Sequence, residues 1–145
     1  MDIPSAETSA WNIAEGESEG KPRLIRYRPD LESHIGSPDY SQRLVKIWDY
    51  EPENASGMPS DQQSEEMKSV EDALVDALDP DRIAIFAFVL TIPGSREWHY
   101  YVSDIGEVGN RINSALSSFP KLPLHLQVEE DPEWEQMRAV YNICK

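Results

Sequence analysis

Apolar residues recur at helical spacing over residues 61–78, where Met67, Val70, Ala73, Leu74, Ala77 and Leu78 fall on one face. Ser60 with Gln63 has the spacing of a capping box. Acids crowd the opposite face and the N-terminal half, where the helix dipole favours them, and Asp79-Pro80 ends the segment. The period then changes. Residues 82–91 (RIAIFAFVLT) are an unbroken apolar run of strand length, as expected of a central strand covered on both faces. Ile92-Pro93-Gly94-Ser95 supplies turn chemistry, and residues 97–103 (EWHYYVS) return as the antiparallel partner. Asp104 and Glu107 cap a second helix over 104–118, with Ile105, Val108, Ile112, Ala115 and Leu116 as its stripe. After a break at Pro120–Pro123, Leu124, Leu126 and Val128 alternate with His125 and Gln127 as a last strand. Asp131-Pro132 reads as the cap and first turn of a closing helix striped by Trp134, Met137, Val140 and Tyr141.

Upstream, residues 24–28 (LIRYR) alternate and stop at Pro29, which suits a short edge strand. Residues 43–50 (RLVKIWDY) make a better one, with Val45 and Ile47 facing one side and Leu44, Lys46, Trp48 and Tyr50 the other. A loop rich in Pro, Gly and Ser (51–60) follows. The order after residue 40 is β-α-β-β-α-β and then a short helix. This predicts an α+β, ferredoxin-like antiparallel sheet of four or five strands with two helices on one face, an extra N-terminal edge strand and a short C-terminal helix. The expected core includes Val70, Leu74, Ile85, Ala87, Val108, Ile112, Leu116 and Leu126. The domain is expected over 23–145. Residues 1–22, rich in Ser, Glu and Gly, are expected to form a flexible acidic tail that only Trp11 and Ile13 could pin to the domain.

Charge narrows the choice of partners. The 145 residues carry a formal net charge of −14. Residues 1–20 hold five acids and no base, and residues 51–81 hold ten acids and one base, Lys68. Such a field repels nucleic acid phosphates and anionic lipid and attracts basic proteins. Neither direct nucleic acid binding nor membrane binding is therefore expected. The one cysteine, Cys144, cannot form an intramolecular disulfide, so nothing points to an oxidising compartment. No apolar run approaches the ~20 residues of a membrane span. The first twenty residues lack the basic and apolar regions of a signal peptide. A soluble cytoplasmic protein of bacterial style is expected.

Catalytic motifs are absent: there is no HExxH, no GxSxG and no glycine-rich phosphate loop. The histidines are His34, His99 and His125; His99, between Trp98 and Tyr100 on a strand, shares a face with Glu97 and Tyr101, and a Glu–His pair could do acid–base work. Glu129, Glu130, Asp131, Glu133 and Glu135 read as a solvated strand-to-helix corner, since their spacing fits no calcium loop. No metal and no cofactor is expected. Trp48, Tyr50, Trp98, Tyr100 and Tyr101 lie on two strands, where cross-strand core packing competes with an exposed aromatic surface.

The segments TIPGSREWHYYVSD (91–104) and VEEDPEW (128–134), with RLVKIWDYE and GMPS upstream, resemble a bacterial domain-of-unknown-function family, number 695, over about residues 23–141. The resemblance implies a fold and no activity. In size, acidity and element order the chain is also similar to the regulator of ribonuclease activity B, which implies an acidic inhibitor of an RNA-degrading enzyme. Together these readings predict a non-enzymatic acidic protein-binding domain, an inhibitor or immunity protein that neutralises a basic protein such as a toxin nuclease. Asp61, Glu65, Glu66, Glu71, Asp72 and Asp76 are the expected contact residues, with Trp48 and Trp98 as candidate anchors on an open sheet face. The competing expectations are a small enzyme using Glu97 and His99 in a sheet-face pocket, and an accessory domain whose acidity serves solubility.

Overall fold

A computed structural model describes residues 3–144. Its elements are β1 (Asn12–Ser18), β2 (Lys21–Tyr27), a 3-10 turn (Pro29–His34), β3 (Gln42–Asp49), α1 (Asp61–Leu78), β4 (Ala84–Ile92), β5 (Ser95–Val102), α2 (Ile105–Ala115), β6 (Leu124–Glu130) and α3 (Glu135–Cys144). The six strands form one sheet in the order β1-β2-β4-β5-β3-β6, and every neighbouring pair is antiparallel. The fold is thus mixed α+β, with three α-helices on a six-stranded antiparallel sheet.

Strand β4 is interior, and its apolar run is buried on both sides. The pairing with β5 shifts between Phe86 and Phe88. Phe86 and Val89 consequently join one core, while Ala87 and Phe88 join the other. An extra residue in one strand produces this change of facing. The first core lies between the sheet and the helices α1 and α2, with Leu44, Trp48, Trp98, Tyr100 and Val102 beneath Met67, Val70, Leu74, Val108 and Ile112. The second core lies on the opposite face, where Ile25, Ile85 and Tyr101 pack against Leu31, Trp134, Met137, Val140 and Tyr141. Tyr101 and Trp134 stack with ring centroids 4.1 Å apart and planes 6° from parallel.

Four expectations change. The sheet is covered on both faces, because α3 and the 3-10 turn close the side expected to be open. The helix α3 begins at Glu135, later than Pro132. Trp134 takes a left-handed backbone (φ 56°) ahead of it, so it precedes the helix instead of joining its stripe. Asp131 still caps, accepting the Glu135 N–H at 2.7 Å. Leu126 is 45 % exposed and outside the core, on the edge strand β6, which has a neighbouring strand on one side only. Finally, β2 is interior, and β1 takes its place at the edge.

That last change concerns the segment read as a tail. Residues 12–18 pair with β2 along their whole length, and the preceding residues are strapped down by distant polar groups. Buried Arg28 donates to the carbonyl oxygens of Pro4 (2.8 Å) and Phe86 (3.0 Å) and to the Ser9 hydroxyl (2.9 Å). Asp79, just beyond α1, accepts from the Ser5 hydroxyl (2.6 Å) and the Ala6 N–H (2.9 Å). Trp11 packs on Phe86 at 4.8 Å. Polar partners hold this segment together with a few apolar contacts, Ala6 and Trp11 on the first core and Ile3 on the second. Deleting residues 1–20 removes the Pro4 and Ser9 partners of Arg28, which keeps Phe86 and Asp30, and the Ser5 and Ala6 partners of Asp79; this should cost about 1–3 kcal/mol for each charge as far as water fails to replace them. A melting temperature lowered by several degrees is the expected result in calorimetry. An unchanged melting temperature would show that the strap carries no stability.

Candidate functional site

The outer surface of α1 follows from how the helix is anchored. Ser60 and Gln63 form the reciprocal capping box, at 3.2 and 2.9 Å. Met67, Val70, Leu74 and Leu78 face the sheet. Asp61, Glu65, Glu66, Asp72 and Asp76 are therefore left exposed on the outside. The only base among them, Lys68, pairs with Asp72 at 3.1 Å in solvent. The clefts beside the helix add to this surface. One, of about 430 Å³, is lined by Glu7, Trp11, Glu71, Asp72 and Asp76 among others. A second, of about 330 Å³, includes Asp49, Glu51, Glu53 and Glu66.

Glu71 stands apart from the other acids of α1. It is turned inward, where it forms an ion pair with Arg26 and accepts the Trp98 indole N–H at 2.9 Å. The Arg26 guanidinium lies over the Trp11 ring at 4.9 Å. Glu71 thus fastens α1 to β5, to β2 and to the N-terminal strap. The two tryptophans are placed equally far from solvent: Trp98 is 0 % and Trp48 4 % exposed, both beneath α1 and α2. The open sheet face that would have presented them does not exist in this fold.

Glu97 and His99 do meet, on the α3 side of the sheet. His99 Nε2 lies 2.9 Å from Glu97 Oε1, and its Nδ1 lies 3.0 Å from Arg43 Nη1. A guanidinium can only donate, so Nδ1 accepts and Nε2–H donates to Glu97. Phe88 stacks on the ring at 4.1 Å. Burial pushes the imidazole below its ordinary value, against the pull of Glu97. The hydrogen bond from His99 in turn holds the Glu97 carboxyl low. Both ring nitrogens are engaged and one ring face is covered, which leaves this imidazole no free lone pair with which to take a proton.

Sequence reasoning missed the residues that organise this cluster. Arg43 is buried and also donates to Glu129 and to Asp131 (3.2 Å). Asp131 further accepts the Tyr101 hydroxyl at 2.8 Å and the N–H of Gln136 at 3.3 Å. The alternation in RLVKIWDY places Arg43 on the face of Val45, but nothing in the sequence indicates that the face is covered. Among the described residues no group of three or more His, Cys, Asp or Glu could hold a metal ion, and no helix is long and apolar enough to cross a membrane.

Residues 9–139 match the family described as "Family of unknown function (DUF695)". The chain belongs to this family. No curated protein and no solved structure matches, so the likeness to the regulator of ribonuclease activity B gains no relative. Several of the segments that carry the DUF695 resemblance meet in the fold. Gly57 of GMPS has φ +78° and lies so close to Pro93 that an added Cβ would sit 2.5 Å from the proline Cβ. Its carbonyl accepts from Gly94 N at 3.1 Å. Tyr101 of the hairpin contacts both Asp131 and Trp134 of VEEDPEW. These residues are engaged in building turns and in closing the second core.

Lys46 is the least accounted-for group of the interior. It is fully buried on β3, its Nζ lies 4.1 Å from the centroid of the Trp98 ring, and it makes no hydrogen bond. Loss of water lowers its pKa to about 7, against the attraction of Glu71. The unfolded chain keeps this proton up to about pH 10. Between those values the unfolded state binds more protons, so this group makes stability rise with pH across the window. Above it, burial holds the Tyr100 phenol protonated, and ionisation favours unfolding. Lys46→Met should abolish the rise between pH 7 and 10 and stabilise the fold at pH 7 by about 1–4 kcal/mol. Urea unfolding at several pH values measures both; a wild-type pH slope in the variant would contradict this account.

Proposed function

We propose that this chain is a non-enzymatic acidic protein-binding domain that neutralises a basic protein, in the manner of an inhibitor or an immunity protein directed at a toxin nuclease, with the outer face of α1 as its docking surface. The observation that carries the reading is the segregation of charge. Among the described residues twenty-one acids are exposed, against the four exposed bases Lys21, Lys68, Lys121 and Arg138. Arg28, Arg43 and Lys46 are buried, and Arg26, Arg82 and Arg111 each bond inward-facing groups or neighbouring acids. A partner therefore meets a surface more one-sided than the composition suggests. Such a field steers a cationic protein into contact and speeds association.

The same reading includes the finer form of the fold. Strands β6-β3-β5-β4, taken with α1 and α2, have the strand order of a ferredoxin-like sandwich, and β2 and β1 extend it beyond β4. The competing enzyme reading has the Glu97–His99 contact in its favour. The engagement of both imidazole nitrogens supports a structural role for that pair.

The test uses a panel of purified basic nuclease domains as probes. Binding should weaken as salt rises. Glu65→Lys, Glu66→Lys and Asp72→Lys together should slow association with a probe that binds by about tenfold or more at low salt, with circular dichroism unchanged. No binding across the panel, or equal association rates for the triple variant and the wild type, would reject the α1 face as the docking surface.

A further inference from the structure

Strand β6 ends the sheet. It pairs with β3 on one side, and no described strand lies on the other. Proteins usually blunt such an edge with lysine, proline, a bulge or a covering element. Along Leu124–Glu130 there is no lysine and no proline, and the pairing with β3 runs without a bulge. Leu126 and Val128 stand 45 % and 44 % exposed, on the face that carries α1 and α2.

We propose that β6 is a self-association edge, pairing antiparallel with β6 of a second copy of this chain about a two-fold axis at Gln127. The occupant is set by the sequence of the strand. Pairing all seven residues antiparallel with themselves places Gln127, the midpoint, opposite itself. Leu126 then lies opposite Val128 of the second copy, and the two-fold repeats the contact. His125 lies opposite Glu129 of the second copy, also twice. Apolar meets apolar on one face and imidazole meets carboxylate on the other, which are favourable cross-strand pairs. Glu129 already pairs with Arg43 on β3, so a row of alternating character would cross the junction. At the ends, Leu124, half-buried against the helical core, lies opposite exposed Glu130, a pair that adds nothing to the junction. The opposite edge of the sheet behaves differently. Strand β1 has Glu15 at its midpoint, so pairing with itself would set carboxylate against carboxylate. The junction differs from the α1 surface in its residues and in its response to salt. Two copies at −14 repel each other, so screening should favour the junction, whereas it opposes docking of a basic protein.

Sedimentation velocity on the full chain at moderate salt tests the proposal. A reversible monomer–dimer equilibrium is expected. Leu126→Lys, a change at an exposed position that enters the junction twice, should raise the dimer dissociation constant by about tenfold or more. Cysteine linking fixes the register in a Cys144→Ser background. Gln127→Cys should oxidise to a covalent dimer. His125→Cys should not link to itself but should link to Glu129→Cys when the two proteins are mixed. A chain monomeric at every concentration, a dimer indifferent to Leu126→Lys, or His125→Cys linking to itself as readily as Gln127→Cys would each overturn the proposal.

Discussion

Cover on both faces of the sheet is the constraint from which most of this structure follows. Strands β2, β4, β5 and β3 lie between two apolar cores, yet Arg43, Lys46 and His99 on them, and Arg28 just after β2, are buried. A charge without water needs a fixed partner or must be neutralised. The chain uses both solutions. Arg28 is satisfied by the Pro4 carbonyl and the Ser9 hydroxyl of the N-terminal strap, by the Phe86 carbonyl of β4 and by Asp30. Arg43 is satisfied by Asp131, Glu129 and the acceptor nitrogen of His99. Lys46 has only an aromatic face and the field of Glu71, and its amine is pushed toward the neutral form.

The constraint reaches the surface through the bases it takes inward. Each arginine that stitches elements together is a cation removed from the exterior, while the acids of α1 other than Glu71, and those of the loops other than Asp79 and Asp131, stay toward the outside because helix period and turn chemistry put them there. Acidic docking and a polar interior are thus two aspects of one sorting of charge. Asp131 illustrates the inward part of that sorting: one carboxylate joins β5, β3 and the start of α3, which explains why a corner that reads as a solvated acidic cluster contains one member with no exposure to speak of.

Legibility in the sequence followed the range of the interaction. The helix α1 could be read because its stripe and its capping box are local, and β4 because an unbroken apolar run needs cover on two sides. The inward turn of Glu71 was also available, since the residue lies four after Met67 and three before Leu74, on the flank of the buried stripe. The N-terminal strap was not available, because Arg28 and Asp79 hold it from across the fold and composition does not encode such contacts. The burial of Trp48 and Trp98 shows a different gap. Alternation fixes which residues share a face, and it does not say which face a helix will cover. The exposure of Leu126 has the same origin, as periodicity identifies a strand without revealing that it lies at the edge of the sheet.

Edge and helix face combine in a way that neither implies alone. A two-fold axis relating two antiparallel β6 strands stands perpendicular to the sheet, and such an axis returns each face to its own side. The helices α1 and α2 of both copies would then cover the same face of one continuous sheet. The exposed apolar pair Leu126 and Val128 would be drawn into the seam between the two helical layers, and α3 of each copy would remain on the reverse. Two acidic helices facing one way present a basic protein with a doubled field and two equivalent docking sites. Simultaneous engagement of both by a bivalent cationic partner raises affinity without any new contact, provided the partner spans the seam. Charge that opposes the pairing of two copies would then be relieved by the ligand that the pairing helps to hold, so that assembly and docking favour each other as linked equilibria require.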